Sequence, residues 1–267
     1  MEKKIILIRG GGDLASGVAV CLHEAGFGVV VTELEQPLVV RRAVSFAEAI
    51  YEGSCEVEGI EGRKVENTAQ AENALSAGKV AVLVDPDCQI LQTLNPLAIV
   101  DGRMLKREVP DEFGKKWKVI GLGPGFTVGV NCWAAIETNR GANLGKVFRE
   151  GSPEPDTGLP ATVMGYNRER VLYAHRDGRF KAFTKIGEIV DVGQKAAEIE
   201  GEPVQSKIKG VVRGMLRDGL VVHAGTKLGD IDPTCEKAAC FRVSDKARKI
   251  GAGVVEALKD IEMAGSY

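Results

Sequence analysis

Lys4-Ile5-Ile6-Leu7-Ile8, followed at once by Arg9-Gly10-Gly11-Gly12-Asp13, constrains this chain more than any other stretch. A short β-branched run of this kind reads as a buried parallel strand. Beyond Asp13, residues Leu14, Ala15, Val18, Ala19, Leu22 and Ala25 recur at helical spacing, and Gly26 is a fitting stop. The order is therefore strand, glycine turn, helix. Gly10-x-Gly12-x-x-Ala15 fits the dinucleotide fingerprint in its G/A form. The first glycine permits a tight turn, the second lets backbone approach a pyrophosphate, and the small third residue lets helix and strand pack closely. Gly11, Asp13, Ser16 and Gly17 fill the same turn and first helical turns, where free N–H groups and the positive dipole end favour phosphate.

A second apolar strand, Val29-Val30-Val31-Thr32, ends at Glu33, at the spacing expected of a ribose-binding acid. A Walker loop is excluded, because Val18 follows Gly17 where Lys then Ser or Thr is required. The alternative reading is a tight turn that binds nothing.

The charge balance narrows the partners. A net charge of -2 with no long basic run argues against nucleic acid, and 5% aromatic content argues against a base-stacking surface. No stretch is long enough to cross a bilayer and the first residues lack a signal-peptide pattern, so a cytoplasmic location is expected. The six cysteines are scattered without C-x-x-C, and no metal site is expected.

Further apolar strands, Val80–Val84, Leu97–Val100 and Lys118–Leu122, alternate with helical patterns, which implies an open parallel sheet. Asp85, Asp101 and the turn holding Gly123 and Gly125 fall at strand C-termini, the edge where such sheets bind ligands. Lys106 lies just beyond. Arg41 and Arg42 follow the second strand and either meet a phosphate or form a solvated pair. Ser45-x-x-Glu48 is a capping-box pattern for a short helix through Tyr51. From Ala161 to Asp232 short segments punctuated by glycine read as all-β. The pattern resembles the small barrel of biotinyl and lipoyl carriers, with no lysine at the Gly201-Glu202-Pro203 tip. The last segment is helical, and Gly251 and Gly253 within it imply close packing. Lys246 and Arg248 near its start face either an anion or solvent, with solvent slightly favoured.

The expected organisation is α/β: a Rossmann-like parallel sheet domain over residues 1–148, a biotinyl/lipoyl-like, unmodified β-barrel over 149–243, and a C-terminal helix over 244–267 packing on the first domain.

Several segments together resemble the YqeB-type accessory proteins of selenium-dependent molybdenum hydroxylases, distant relatives of the xanthine dehydrogenase accessory factors. They are Arg9–Gly17, Val31–Leu34, Arg41–Phe46, Ile120–Phe126, Ile136–Thr138 with Arg140-Gly141, Leu144-Gly145, Gly229–Pro233 and Ser244–Arg248. The resemblance implies a role in maturing such an enzyme, handling a molybdopterin-type cofactor with the hydroxylase as partner. It carries over no catalytic residue. Two other classes remain open: an NAD(P)-dependent oxidoreductase, and a nucleotide-sensing interaction module. The phosphate-bearing ligand is thus a molybdopterin-type cofactor, NAD(P) or another nucleotide, and a homo-oligomer is allowed.

Overall fold

In the computed structural model, residues 3–113 and 116–264 are described. They divide into two units. The first comprises residues 1–37, 46–157 and 243–267, and the second residues 38–45 and 158–242.

Unit one is built on a nine-stranded sheet. Its centre is β1 (Ile5–Arg9), with β2 (Gly28–Glu33) and then β5 (Val80–Val84) on one side and β6 (Ala98–Asp101), β7 (Val119–Leu122) and β8 (Ala134–Ile136) on the other. All these neighbours pair in parallel. The core strands are buried almost end to end, which explains their unbroken apolar runs. Beyond β5 lies β4 (Ile60–Lys64), parallel to it, and then β3 (Ser54–Val57), antiparallel; β9 (Val147–Phe148) closes the other end, also antiparallel. β3 and β4 form a hairpin that turns at Glu58-Gly59, and β4 also pairs with β5 of the main sheet.

Helix α1 (Asp13–Glu24) follows β1 and ends where Gly26 takes φ +91°. Short α2 (Ala49–Glu52) is followed by Gly53 at φ +78°. Ahead of α2, the Ser45 hydroxyl donates to the Arg41 carbonyl at 3.0 Å. Helix α3 (Thr68–Ser76) is capped by Asn67, whose side chain accepts from Gln70 N. Helix α4 (Asp245–Ala264) packs along α1. A Cβ on Gly251 would stand 2.5 Å from Cys21 Sγ, and one on Gly253 only 2.2 Å from the Gly145 carbonyl. Those glycines are what the close approach demands.

Unit two contains two antiparallel sheets. One runs β10 (Val171–Tyr173), β17 (Lys227–Asp232), β15 (Gly210–Met215), β12 (Ile189–Val190). The other runs β14 (Glu202–Gln205), β13 (Lys195–Ile199), β11 (Gly178–Ala182), β16 (Val221–Val222).

The expected Rossmann-like parallel sheet followed by a biotinyl/lipoyl-like barrel is therefore corrected. The large sheet is mixed, with antiparallel strands at both ends. Among the described residues, the crossovers from β5 to β6, β6 to β7 and β7 to β8 contain no α-helix. Pro86, Pro96, Pro110 and Pro124 interrupt them, removing donors and blocking helix propagation. In unit two, no ladder among the described residues joins the two four-stranded sheets into one closed barrel.

Candidate functional site

Strand order reverses about β1 and β6, since the chain builds outward through β2 and β5 and then returns to the other flank of β1. In open parallel sheets the C-terminal edge at such a reversal is where ligands sit. Gly10–Asp13 leave β1 there, and Gly102 and Arg103 leave β6. The two strand ends are tightly fitted: a Cβ on Gly102 would stand 2.9 Å from Ala15 Cβ, and one on Gly10 3.4 Å from Arg103 backbone.

The glycine loop is largely committed to its own fold. Gly10 N donates to the Thr32 carbonyl at 2.8 Å, and Gly11 N to Glu33 Oε2 at 2.6 Å. Glu33 Oε1 accepts from Leu34 N at 2.8 Å, so both carboxylate oxygens are engaged by backbone. The Ser16 hydroxyl donates to the Gly11 carbonyl and accepts from Phe46 N. Gly10, Gly11, Ser16 and Glu33 thus shape the turn, rather than offering the donors and the acid that the fingerprint spacing implied. Ala15 and Gly17 are packing positions; a Cβ on Gly17 would lie 2.5 Å from Ala247 Cβ. Gly12 differs. It precedes α1 at φ −66°, with no side-chain cap, and a Cβ there would meet nothing within 4 Å.

Other expected ligand residues have structural tasks. Asp85 accepts from Gln89 N and Ile90 N, both at 2.8 Å, and so caps the turn after β5. Arg41 donates to the carbonyls of Ala239 and Arg242, and Arg42 to that of Met215, all within unit two. Gly123 and Gly125 take φ +79° and +98° in a packed turn, where added Cβ atoms would strike Thr138 Oγ1 and the Arg107 carbonyl.

What the strand edge does gather is charge of both signs, with Lys246 set among other cations. Lys246, at the start of α4, is half-buried, and its ammonium pKa is held below the ordinary lysine value. Burial is the largest cause, followed by repulsion from Arg140 and, further down, Lys106; Asp13 and Glu137 act the other way. Arg140 pairs with Asp245 at 3.2 Å and Lys106 with Asp156 at 3.4 Å. Glu137 is spent on the backbone N–H groups of Asn139 and Glu154. Next to this group, buried Asp101 accepts from Arg103 Nη2 at 2.6 Å and lies 3.5 Å from Arg9 Nη1. Glu112 pairs with both Arg9 and Arg103. Although partial burial works against its charge, the two guanidinium groups hold the Glu112 pKa below the usual carboxylate value. Arg9 is 5% exposed, its ring-facing side lies 4.9 Å from the Phe113 centroid, and its Nε has no hydrogen-bond partner.

Arg9, Arg140 and Arg103 were not singled out from sequence as ligand candidates, and Lys246 was read slightly toward solvent. Lys246 comes within electrostatic reach of Asp13 because α4 packs on α1, a long-range contact that spacing does not encode. The inclusion of Arg140 and the Ser244–Arg248 segment among the family-like motifs was the available signal. Among the described residues, no group of three or more His, Cys, Asp or Glu is placed to hold a metal ion. Burial raises the thiol pKa values of Cys21, Cys55, Cys88 and Cys132, with Cys55 at about 11 and Cys132 at about 12. These are poor nucleophiles near neutral pH.

No family model matches the chain. It is 43% identical over 255 residues to the uncharacterized protein YqeB of Escherichia coli strain K12. The match takes in 96% of this chain and 47% of YqeB, so the chain spans about half the length of that curated relative. Solved structures similar to it include the apo ectoine utilization protein EutE (DoeB) from Ruegeria pomeroyi, at 12% identity and TM-score 0.26 over 86% of each chain. A succinylglutamate desuccinylase/aspartoacylase from Rhodobacter sphaeroides gives 15% identity and TM-score 0.28, over 86% of this chain and 85% of that one. At such scores these likenesses carry no argument about chemistry. No helix among the described residues is long and apolar enough to cross a membrane.

Proposed function

The match to YqeB supports placing the chain in the YqeB family, and from that premise we propose that it binds a phosphate-bearing small molecule at the β1/β6 edge. The wider role is that of an accessory factor handling a molybdopterin-type or nucleotide cofactor for a selenium-dependent molybdenum hydroxylase, which is then its partner. The observation that supports this reading is the crowding of like charge at the start of α1. Arg140 and Lys106 both repel Lys246, enough to help lower its pKa. An anion between them relieves that repulsion, and the α1 N-terminus adds its own positive end. Gly12 gives such a ligand room to approach.

The NAD(P) reading is weaker, because Glu33 has both oxygens on backbone N–H groups and so is not poised for a ribose diol.

Calorimetric titration with inorganic pyrophosphate tests the binding. The native chain binds it saturably, and Lys246→Ala weakens it at least tenfold. Equal affinity in the two proteins contradicts the assignment. Because an anion favours the protonated amine, binding takes up protons, and affinity falls with rising pH sooner than an ordinary lysine would make it fall. Lys246→Ala removes that pH dependence.

A further inference from the structure

The opposite end of the same sheet carries a second concentration of positive charge, and it includes a ring. Lys4 immediately precedes β1, Leu97 precedes β6 and Lys118 precedes β7. Together with Lys3, Lys116 and Trp117 they line a hollow of about 660 Å³, open to solvent. That volume lies within the ~300–1,000 Å³ range of small-molecule sites. The β1 strand separates this hollow from the glycine loop by about 3.3 Å per residue, so the two sites occupy opposite edges of the sheet.

The lining is one-sided in charge. Lys4 meets Glu262 at 2.8 Å. Among the described residues no carboxylate pairs with Lys3, Lys116 or Lys118. A cleft lined by one sign of charge focuses its field and raises the local concentration of counter-ions. This is not explained by composition, since the chain as a whole carries a net charge of -2. Trp117 is partly buried against the apolar core, so its ring is held in place while it also lines the hollow. The Lys116 ammonium stands 5.2 Å from its centroid, and Lys118 stands 5.7 Å from the centroid of Trp133. Lys116 thus lies over the ring that lines the hollow and would swing to the phosphates when a base takes its place, while Lys118 lies against the second tryptophan.

We propose that this hollow is a binding site for a nucleoside polyphosphate, whose base stacks on Trp117 while Lys3, Lys116 and Lys118 hold the phosphates. A flat heteroaromatic ring joined to several negative charges is the ligand class that uses both halves of the surface. Stacking supplies attraction without base identity, and the ammonium groups supply the charge match. The site is separate from the β1/β6 edge and does not depend on that assignment.

ATP, inorganic triphosphate and adenosine are the probes. Trp117 and Trp133 are the two tryptophans of the chain, so Trp133→Phe leaves Trp117 as the sole indole reporter. ATP is expected to quench its emission saturably, more tightly than either inorganic triphosphate or adenosine. The double variant Lys116→Glu, Lys118→Glu weakens ATP at least tenfold. Both lysines are exposed, so this variant folds, and calorimetry on it and on the native chain repeats the comparison without Trp133→Phe. The titrations are run in the Lys246→Ala background, which weakens polyphosphate binding at the other edge, so that the response reports this hollow alone. Absence of a saturable response overturns the proposal, as does ATP affinity indifferent to the lysine reversals. Inorganic triphosphate binding as tightly as ATP also overturns it, because the ring then contributes nothing.

Discussion

Lys246 is a residue whose environment works against its own charge. Burial and the neighbouring cations lower its pKa, so its protonated form opposes folding at neutral pH. The penalty disappears as pH rises past the ordinary lysine value, and the same sign makes a bound anion stabilising. Cys132 is the complementary case. With its thiol pushed to about 12 by burial, it stays protonated through the physiological range. Iodoacetamide at pH 8 is expected to leave Cys132 unmodified in the folded protein and to label it after denaturation, read by peptide mass spectrometry. Rapid labelling of the native chain contradicts the assigned environment. Burial raises the thiol pKa of Cys21 and Cys88 as well, so none of the three is an activated nucleophile. At this scale the sequence was a partial guide. Residue type and spacing located the glycine loop and Glu33. They did not reveal that Gly11 N and the Glu33 carboxylate satisfy each other, because a hydrogen-bond partner is a matter of three-dimensional aim.

Among the elements, the α1–α4 pair fixes the site. Gly251 and Gly253 sit inside α4, where each costs about 1 kcal/mol of helix propensity relative to Ala, and their positions against Cys21 and Gly145 give the reason. Gly253→Ala therefore lowers stability, despite the gain in propensity, because its Cβ would stand 2.2 Å from a backbone oxygen that cannot step aside cheaply. Overpacking of this kind costs about 1–3 kcal/mol. Urea unfolding is the measurement, and a variant as stable as the native chain contradicts the packing. The period of α1, its stop at Gly26 and the strands β1, β2 and β5 were all legible, because burial on one face or both leaves a periodic trace. The prolines after β5 were equally visible as breaks. Their consequence, a flank of the sheet whose crossovers lack α-helices, was not drawn from the strand pattern alone.

For the whole molecule, the reversal of strand order about β1 and β6 gathers residues far apart in sequence at one edge. Asp13, Lys106 and Arg140 come from three segments distant from Lys246, yet all three act on its charge. In unit two the glycine-punctuated strands were legible as β-structure, but their division into two sheets rests on pairing, which alternation alone does not specify. The Gly229–Pro233 motif there is structural: Asp230 lies 3.4 Å from Arg170, and Asp232 accepts from Arg213 and Thr234. The central claim, an anion seated where α1 begins, is tested most directly by titrating inorganic pyrophosphate into Gly12→Asp alongside the native chain. Gly12 has φ −66° and open space, and an aspartate at that position is a good helix cap, so the variant is expected to melt no lower than the native protein. It should lose saturable pyrophosphate binding, because a carboxylate then occupies the approach. A folded Gly12→Asp protein that binds pyrophosphate as tightly as the native chain would contradict the account.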